Sequence, residues 1–239
     1  MHDDDELPAG GDGCPFFPKR GRRAVVLCDG PPPPAAVLEY WLAGADLFVC
    51  ADAAGHPYDH LPRVPDAVIG DFDSLSGRVL AGRGGPRFLR VDDPYTTDSE
   101  KALLYVADSG CREAVLLGAE GGWRLDHTLF NLQLLERFSD RLRLCLAGQS
   151  ADVVRVGPGS HEVWALPAGT RFSLLPLSGE ARGVTIEGAS FPLLGDTISL
   201  AGPTAISNLV TMSPLLLSVG TGSLLALIER EAEPDRGRD

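Results

Sequence analysis

The chain has 239 residues, a hydrophobic fraction of 44% and a formal net charge of −12. That length suits one large or two modest domains, and the apolar share is ample for a core. The acidity, with no Lys/Arg cluster beyond KRGRR (Lys19 to Arg23), argues against a nucleic-acid surface, and no apolar run reaches the ~20 residues of a membrane-spanning helix. The opening MHDDDELPAGGDG is acidic where a signal peptide is basic and then apolar, so a cytoplasmic protein is expected. The five cysteines form no C-x-x-C motif and four lie in or beside apolar runs, which predicts buried free thiols.

Residues 1–22 lack periodicity and are rich in Gly, Pro and Asp, so they read as a disordered acidic tail with KRGRR as its solvated end. AVVLCDG then reads as a buried strand, PPPPAAVLEYWLAGA as a turn and a helix, DLFVCADA as a second strand, DAVIGDFDS as a third and RFLRVDD as a fourth. In TTDSEKALLYVADSG, Thr97 and Glu100 make a capping box ahead of an apolar helical face, and Gly110 ends the helix. REAVLLGA is a fifth strand. After Gly121-Gly122, RLDHTLFNLQLLERFSD is a helix with Leu125, Leu129, Leu132 and Leu135 on successive turns, and RLRLCLAG is a sixth strand.

Strands alternating with helices over residues 23–149 predict a doubly wound α/β domain with a mostly parallel sheet, whose strands are apolar throughout because both faces are covered. After Gly148 the texture changes. ADVVRV, HEVWAL, RFSLLPL, GVTIEG, TISLAG, LLLSVG and SLLALIE are short, strand-like and separated by Gly, Pro and Ser. Residues 150–232 therefore read as an all-β, sandwich-like domain.

The common phosphate loops and the G-x-S-x-G nucleophile turn are absent. His56 and His60 are four apart, but Pro57 between them argues against a metal-binding helix face. What remains is a series of acids at predicted strand exits: Asp52 after the second strand, Asp71 and Asp73 after the third, Asp92, Asp93 and Asp98 at or beyond the fourth, and Asp126 beyond the fifth. Ligands of open α/β sheets bind outside the carboxyl ends of the strands. Asp71 and Asp73, at i and i+2 in an extended segment, point to one side and leave Phe72 to face the core. Held ~6 Å apart at an effective dielectric of ~20 they repel by ~3 kcal/mol, a cost that a cation removes. Mg²⁺ characteristically takes one or two carboxylates and completes its octahedron with water and substrate phosphate. Gly121 and Gly122 permit close approach to the backbone at a helix start, where free N–H groups attract anions, and Arg124 adds a forked phosphate donor.

GDFDSL, TDSEKAL and LGAEGGWRLDHTLFNLQLL, in that order, together with FSLLPLSG, GVTIEGASFPL and ISN, resemble the thiamine pyrophosphokinase family over residues 24–229. The resemblance implies an α/β nucleotide-binding catalytic domain followed by a β-sandwich domain that binds thiamine and dimerises. It implies a homodimer with sites formed between subunits, and Mg²⁺-dependent transfer of diphosphate from ATP to the hydroxyl of thiamine with release of AMP. Carried over by motif, Asp71, Asp73 and Asp98 would hold Mg²⁺ and the ATP phosphates, with Asp52 beside them. Thr97, Lys101, Gly121, Gly122 and Arg124 would contact phosphate and Asp126 would position nucleotide or metal. Phe191, Ser207 and Asn208 would face thiamine. The chain departs from the family pattern at Ala53-Ala54, where two glycines are usual, at Tyr95, where an acid is usual, and at Ser190, where a lysine is usual. Two other readings fit parts of the pattern. A Mg²⁺-dependent phosphatase of the haloacid dehalogenase type also carries D-x-D after a strand, and a non-catalytic nucleotide- or thiamine-binding homologue would keep the fold without turnover.

Overall fold

A computed structural model describes residues 14–56, 58–72, 85–177 and 179–230. The chain divides into two compact units, with the boundary between Ala147 and Gly148. In the first unit, β1 (Arg23–Leu27), β2 (Leu47–Ala51), β3 (Ala67–Gly70), β4 (Arg87–Arg90), β5 (Glu113–Leu117) and β6 (Arg143–Ala147) form a parallel sheet in the order β6-β5-β1-β2-β3-β4. β1, β2, β3 and β5 are buried along their whole length, as their unbroken apolar runs require. The connecting helices are α1 (Ala35–Ala43), α2 (Asp98–Asp108) and α3 (Leu125–Arg137), with α2 packed over β1, β2 and β3. The strand order reverses between β1 and β5, so the crevice of this doubly wound sheet opens above those two exits.

The first unit begins earlier than its sequence suggests. Cys14, Phe16 and Phe17, expected in a disordered tail, are buried. Arg23, expected at the solvated end of that tail, is fully buried and sends Nε and Nη2 to Glu113 Oε2 at 3.1 and 3.0 Å. Arg143 takes Glu113 Oε1 at 3.0 Å, and the Phe17 ring lies 4.1 Å from the Arg143 guanidinium and 5.1 Å from that of Arg23. A paired, hydrogen-bonded and ring-stacked arginine tolerates burial that a lone charge would not. This cluster ties residues 14–22 to the starts of β1, β5 and β6.

The expected apolar face of α3 is also displaced. Leu125 and Leu129 are exposed, and the buried side is Asn131, Leu134 and Leu135. Asn131 carries this rotation, because its Nδ2 donates to Ala119 O at 2.8 Å and anchors the helix to the turn after β5.

The second unit has two antiparallel sheets. One is β12 (Ala205–Leu209), β9 (Arg171–Pro176), β14 (Leu224–Glu229) and β7 (Ala151–Val156), in that order. The other is β11 (Leu193–Ser199), β10 (Glu180–Glu187), β13 (Leu215–Val219) and β8 (Ser160–Trp164). Phe172, Leu174, Leu224 and Ala226 from the first sheet, and Val184, Ile186, Leu215 and Leu217 from the second, are buried as a sandwich core requires. Seven of these eight strands overlap the predicted runs; β12 lies in AISNL, which the alternation did not reveal. The five cysteines are buried and form no disulfide. Among the described residues no helix is long and apolar enough to cross a membrane.

Candidate active site

The strand exits of the first unit bring several acids together. Asp52 follows β2 directly, is buried, and has a φ of +48°, a left-handed conformation that Asp tolerates better than most residues. Its N–H is donated to Ile69 O at 2.7 Å and its Oδ1 accepts from Phe72 N at 3.1 Å. Asp52 thus binds the exit of β2 to the exit of β3. Only glycine fits at the end of β3, because a Cβ on Gly70 would lie 2.8 Å from Asp52 Oδ1 and 3.0 Å from its Cα.

Beyond Gly70 the chain leaves the strand. Phe72 has a φ of +62°, so the extended alternation expected for Asp71 to Asp73 does not apply. A left-handed phenylalanine is strained, and two contacts hold it: the Asp52 hydrogen bond and an edge-on packing against Phe88 of β4 at 5.7 Å. Asp73 lies outside the described residues.

Asp98 opens α2. The cap is Thr97, whose Oγ1 accepts from Glu100 N at 3.2 Å. Only this half of the predicted capping box forms; the buried Glu100 side chain pairs with Arg137 of α3. One turn on, the buried Lys101 Nζ donates to Asp98 Oδ1 at 2.9 Å and stands 3.9 Å from Asp71 Oδ2. An ammonium therefore already occupies the space between two carboxylates. Partial burial pushes the Asp98 carboxyl above its ordinary range, opposed by Lys101 and reinforced by Asp52 and Asp71. The Lys101 ammonium loses hydration, but Asp98 and Asp71 outweigh that loss and raise its pKa.

Asp29, just beyond β1, belongs to the same field and escaped the sequence reading. Loss of hydration, then the charges of Asp52 and Asp98, push its carboxyl up. The signal was present in LCDG, an acid at the exit of the first strand, but it stood among prolines and a glycine that read as a turn. Gly30 and Gly118 let the β1 and β5 exits touch, since a Cβ on Gly30 would meet Gly118 O at 2.2 Å. Asp92 and Asp93 are used locally instead. Asp92 pairs with Arg90 at 2.8 Å, and Asp93 accepts from Tyr95 N at 2.9 Å and Thr96 Oγ1 at 3.0 Å.

Gly121 and Gly122 both have positive φ, +79° and +71°, which explains the pair. They lead into α3, whose N-terminus has no side-chain cap. Arg124 there folds back on Asp126, with Nε–Oδ1 at 2.9 Å and Nη2–Oδ2 at 2.7 Å, and this pairing holds the exposed Asp126 carboxyl well below the usual range. The same guanidinium lies 5.3 Å from the exposed Trp123 ring. In the second unit, Phe191 and Ser207 are exposed, whereas Asn208 is buried.

Among the described residues no three His, Cys, Asp or Glu side chains converge closely enough to form a metal cage. The donors present nevertheless suit Mg²⁺. They are all carboxylate oxygens, they already hold a cation in Lys101, and Mg²⁺ needs only one or two of them when phosphate and water supply the rest.

A doubly wound sheet with acids at neighbouring strand exits, followed in the chain by a β-sandwich unit, defines the class as an α/β protein with a C-terminal β module. Residues 38–146 match the family model for the thiamin pyrophosphokinase catalytic domain. Thiamine pyrophosphokinase 1 of Oryza sativa subsp. japonica is 27% identical over 192 residues, which covers 70% of this chain and 72% of the relative. Thiamine pyrophosphokinase of Bacillus subtilis (strain 168) is 25% identical over 168 residues, covering 69% and 78%. In fold, the chain is similar to the crystal structure of the Bacillus subtilis thiamine pyrophosphokinase, with a TM-score of 0.77, 20% identity and coverage of 88% and 100%. It is also similar to thiamin pyrophosphokinase from Candida albicans, with a TM-score of 0.76, 15% identity and coverage of 97% and 98%. Residues 38–146 are thus similar to the catalytic domain of thiamin pyrophosphokinases, and the relatives in sequence and in fold carry that same name.

Proposed function

We propose that this protein transfers diphosphate from ATP to the hydroxyl of thiamine, giving thiamine diphosphate and AMP, as a cytoplasmic Mg²⁺-dependent homodimer. The observation that carries the reading is the convergence of Asp71 and Asp98 on Lys101, with Asp52 holding the 71–72 segment, at the strand exits of a domain similar to this family's catalytic domain. Diphosphate transfer depends on positioning and charge neutralisation more than on covalent catalysis, and that is what such a cluster supplies.

Asp71 and Asp98 would hold Mg²⁺, with Asp73 as the third carboxylate carried over by motif. The ion would supply neutralisation of phosphate charge and a fixed orientation for it. Asp52 does not need to touch the ion: its carboxylate orients the 71–72 segment. Lys101 sits where it can exchange its carboxylate partners for phosphate oxygens. Gly121, Gly122 and the uncapped start of α3 offer N–H groups to the distal phosphates. Arg124 adds its fork once released from Asp126, and Thr97 fixes the first turn of α2 from which Asp98 and Lys101 project. On the acceptor side, the exposed Phe191 ring suits a thiazolium cation, and a cation–π contact contributes ~1–2 kcal/mol. Ser207 is the exposed polar neighbour. The β unit, residues 150–232, would carry thiamine binding and dimerisation, and residues 23–149 the catalytic domain.

Incubating the protein with ATP, Mg²⁺ and thiamine tests this reading. Thiamine diphosphate and AMP should appear together, and only when thiamine is present. Inorganic phosphate without thiamine diphosphate would favour the phosphatase reading, and tight ligand binding with no product would favour the non-catalytic one.

A further inference from the structure

β12 contains a break. Its register against β9 shifts between Ala205 and Asn208, and Ser207 there has a φ of +57°, a strained conformation for a residue other than glycine. In an unbroken strand Ile206 and Asn208 would share one face. The bulge separates them. Ile206 and Ser207 both stay exposed, and Asn208 turns inward to 1% exposure.

The Asn208 carboxamide is almost fully committed there. Oδ1 accepts Phe191 N–H at 3.0 Å and Leu209 N–H at 2.9 Å, and Nδ2 donates to Phe191 O at 2.8 Å. Two backbone donors on one atom identify that atom as the oxygen. Three of the four hydrogen bonds this side chain can make go to main chain. Both main-chain groups of Phe191 are thus held by one side chain, in the way a neighbouring strand would hold them. The rest of the turn is fixed as firmly: Ser190 N donates to Leu209 O at 2.9 Å, and Thr211 N and Met212 N donate to Gly188 O at 2.8 and 3.1 Å. The product of all this order is a ring that is not in the core. Phe191 is 69% exposed.

We propose that Asn208 is a positioning residue for acceptor recognition: it makes no contact with substrate and sets the main chain of Phe191 so that the ring stands as a preformed face for the cationic ring of the acceptor alcohol. This rests on the proposed thiamine reaction. It replaces a direct thiamine contact for Asn208 with an indirect one, and it makes Phe191 the specificity-determining side chain through which Asn208 acts.

A double-mutant cycle on the full-length chain tests it. Phe191→Ala and Asn208→Ala should each raise the thiamine KM by about tenfold, the factor a single cation–π contact represents, with kcat and the ATP KM unchanged. The double variant should be no worse than Phe191→Ala alone. Phe191→Trp should keep the low KM and Phe191→Leu should not. Should Asn208→Ala fail to fold, Asn208→Asp carries the same cycle, since it keeps the acceptor for both N–H groups and loses only the Nδ2 donor. Amide exchange at Phe191 reports release of the clamp independently of turnover. Additive effects, or a lowered kcat with unchanged KM, would overturn the positioning role, as would an unchanged thiamine KM when the Phe191 amide has lost protection. If the wild-type chain makes no thiamine diphosphate, the reaction assignment has failed by itself. Calorimetric titration with thiamine then decides this inference: binding weakened non-additively by the two substitutions supports it, and no binding overturns it.

Discussion

The two regions given roles here are built in opposite ways. At the strand exits of the first unit, the proposed site is made of charged side chains: Asp71 and Asp98 meet at Lys101, and Asp52 holds the segment that carries Asp71. At the turn around Phe191 in the second unit the chemistry is main-chain geometry, and the polar side chain is spent on holding it. In the proposed reaction the charges would reorganise as ligand arrives, with Lys101 and Arg124 exchanging their carboxylate partners. A main-chain clamp would not. The first arrangement suits stabilising charge during transfer, and the second suits recognising one shape before transfer begins.

Substitutions that separate the two regions should therefore split by kinetic parameter. The largest effect is expected for Asp71→Asn and Asp98→Asn, which should each lower kcat by on the order of a hundredfold to a thousandfold with the fold intact by circular dichroism. Wild-type turnover in either variant would remove that residue from the phosphate site. Next come the glycines. Gly70→Ala puts a methyl against Asp52, and Gly188→Ala puts one 2.6 Å from Met212 O on a backbone with φ of +84°. Each should lower stability by about 1–3 kcal/mol in urea unfolding. The first should fall mainly on kcat and the second mainly on the thiamine KM; equal effects on both parameters would erase the distinction between the regions.

A smaller effect tests the field around the cluster. The folded-state pKa of Asp29 is raised above its unfolded value, so the folded state holds this proton more tightly. Stability from that preference is full below the ordinary carboxylate range and is lost as pH rises through the folded value. Asn in place of Asp29 should raise the Tm of the ligand-free protein at about pH 7 and leave it unchanged at about pH 3. A lowered Tm at neutral pH would show that Asp29 is stabilised as a carboxylate. The smallest change in stability belongs to Arg124→Ala, which removes an exposed pair. Thermal unfolding should be almost unchanged, as for other solvent-exposed ion pairs, while the ATP KM rises. An unchanged ATP KM would leave Arg124 a surface residue.

The parallel core of the first unit was legible because continuous apolar runs such as AVVL and AVLL admit few other readings. The acids were legible from their places at strand exits, although Asp92 and Asp93 proved to serve local pairs. The half-formed capping box, the exposed Leu125 and Leu129, the packed residues 14–22 and the strand β12 were not. In each case a long-range partner outweighed local pattern: Arg137 took Glu100, Ala119 O took Asn131, Glu113 took Arg23 and Arg143, and Phe191 took Asn208.

By itself the sequence determined the doubly wound α/β class of the first unit, the all-β character of the second and the gathering of acids after the strands, because hydrophobic periodicity and charge are properties of neighbours along the chain. Only the tertiary structure decided that Asp29 joins the acids, that Asp52 orients a loop and that Phe72 is left-handed. It also decided that Asn208 faces Phe191 and not solvent. Those outcomes depend on hydrogen bonds between residues far apart in sequence, such as Phe191 and Asn208 with a separation of 17, and no local pattern encodes which buried amide meets which main-chain group.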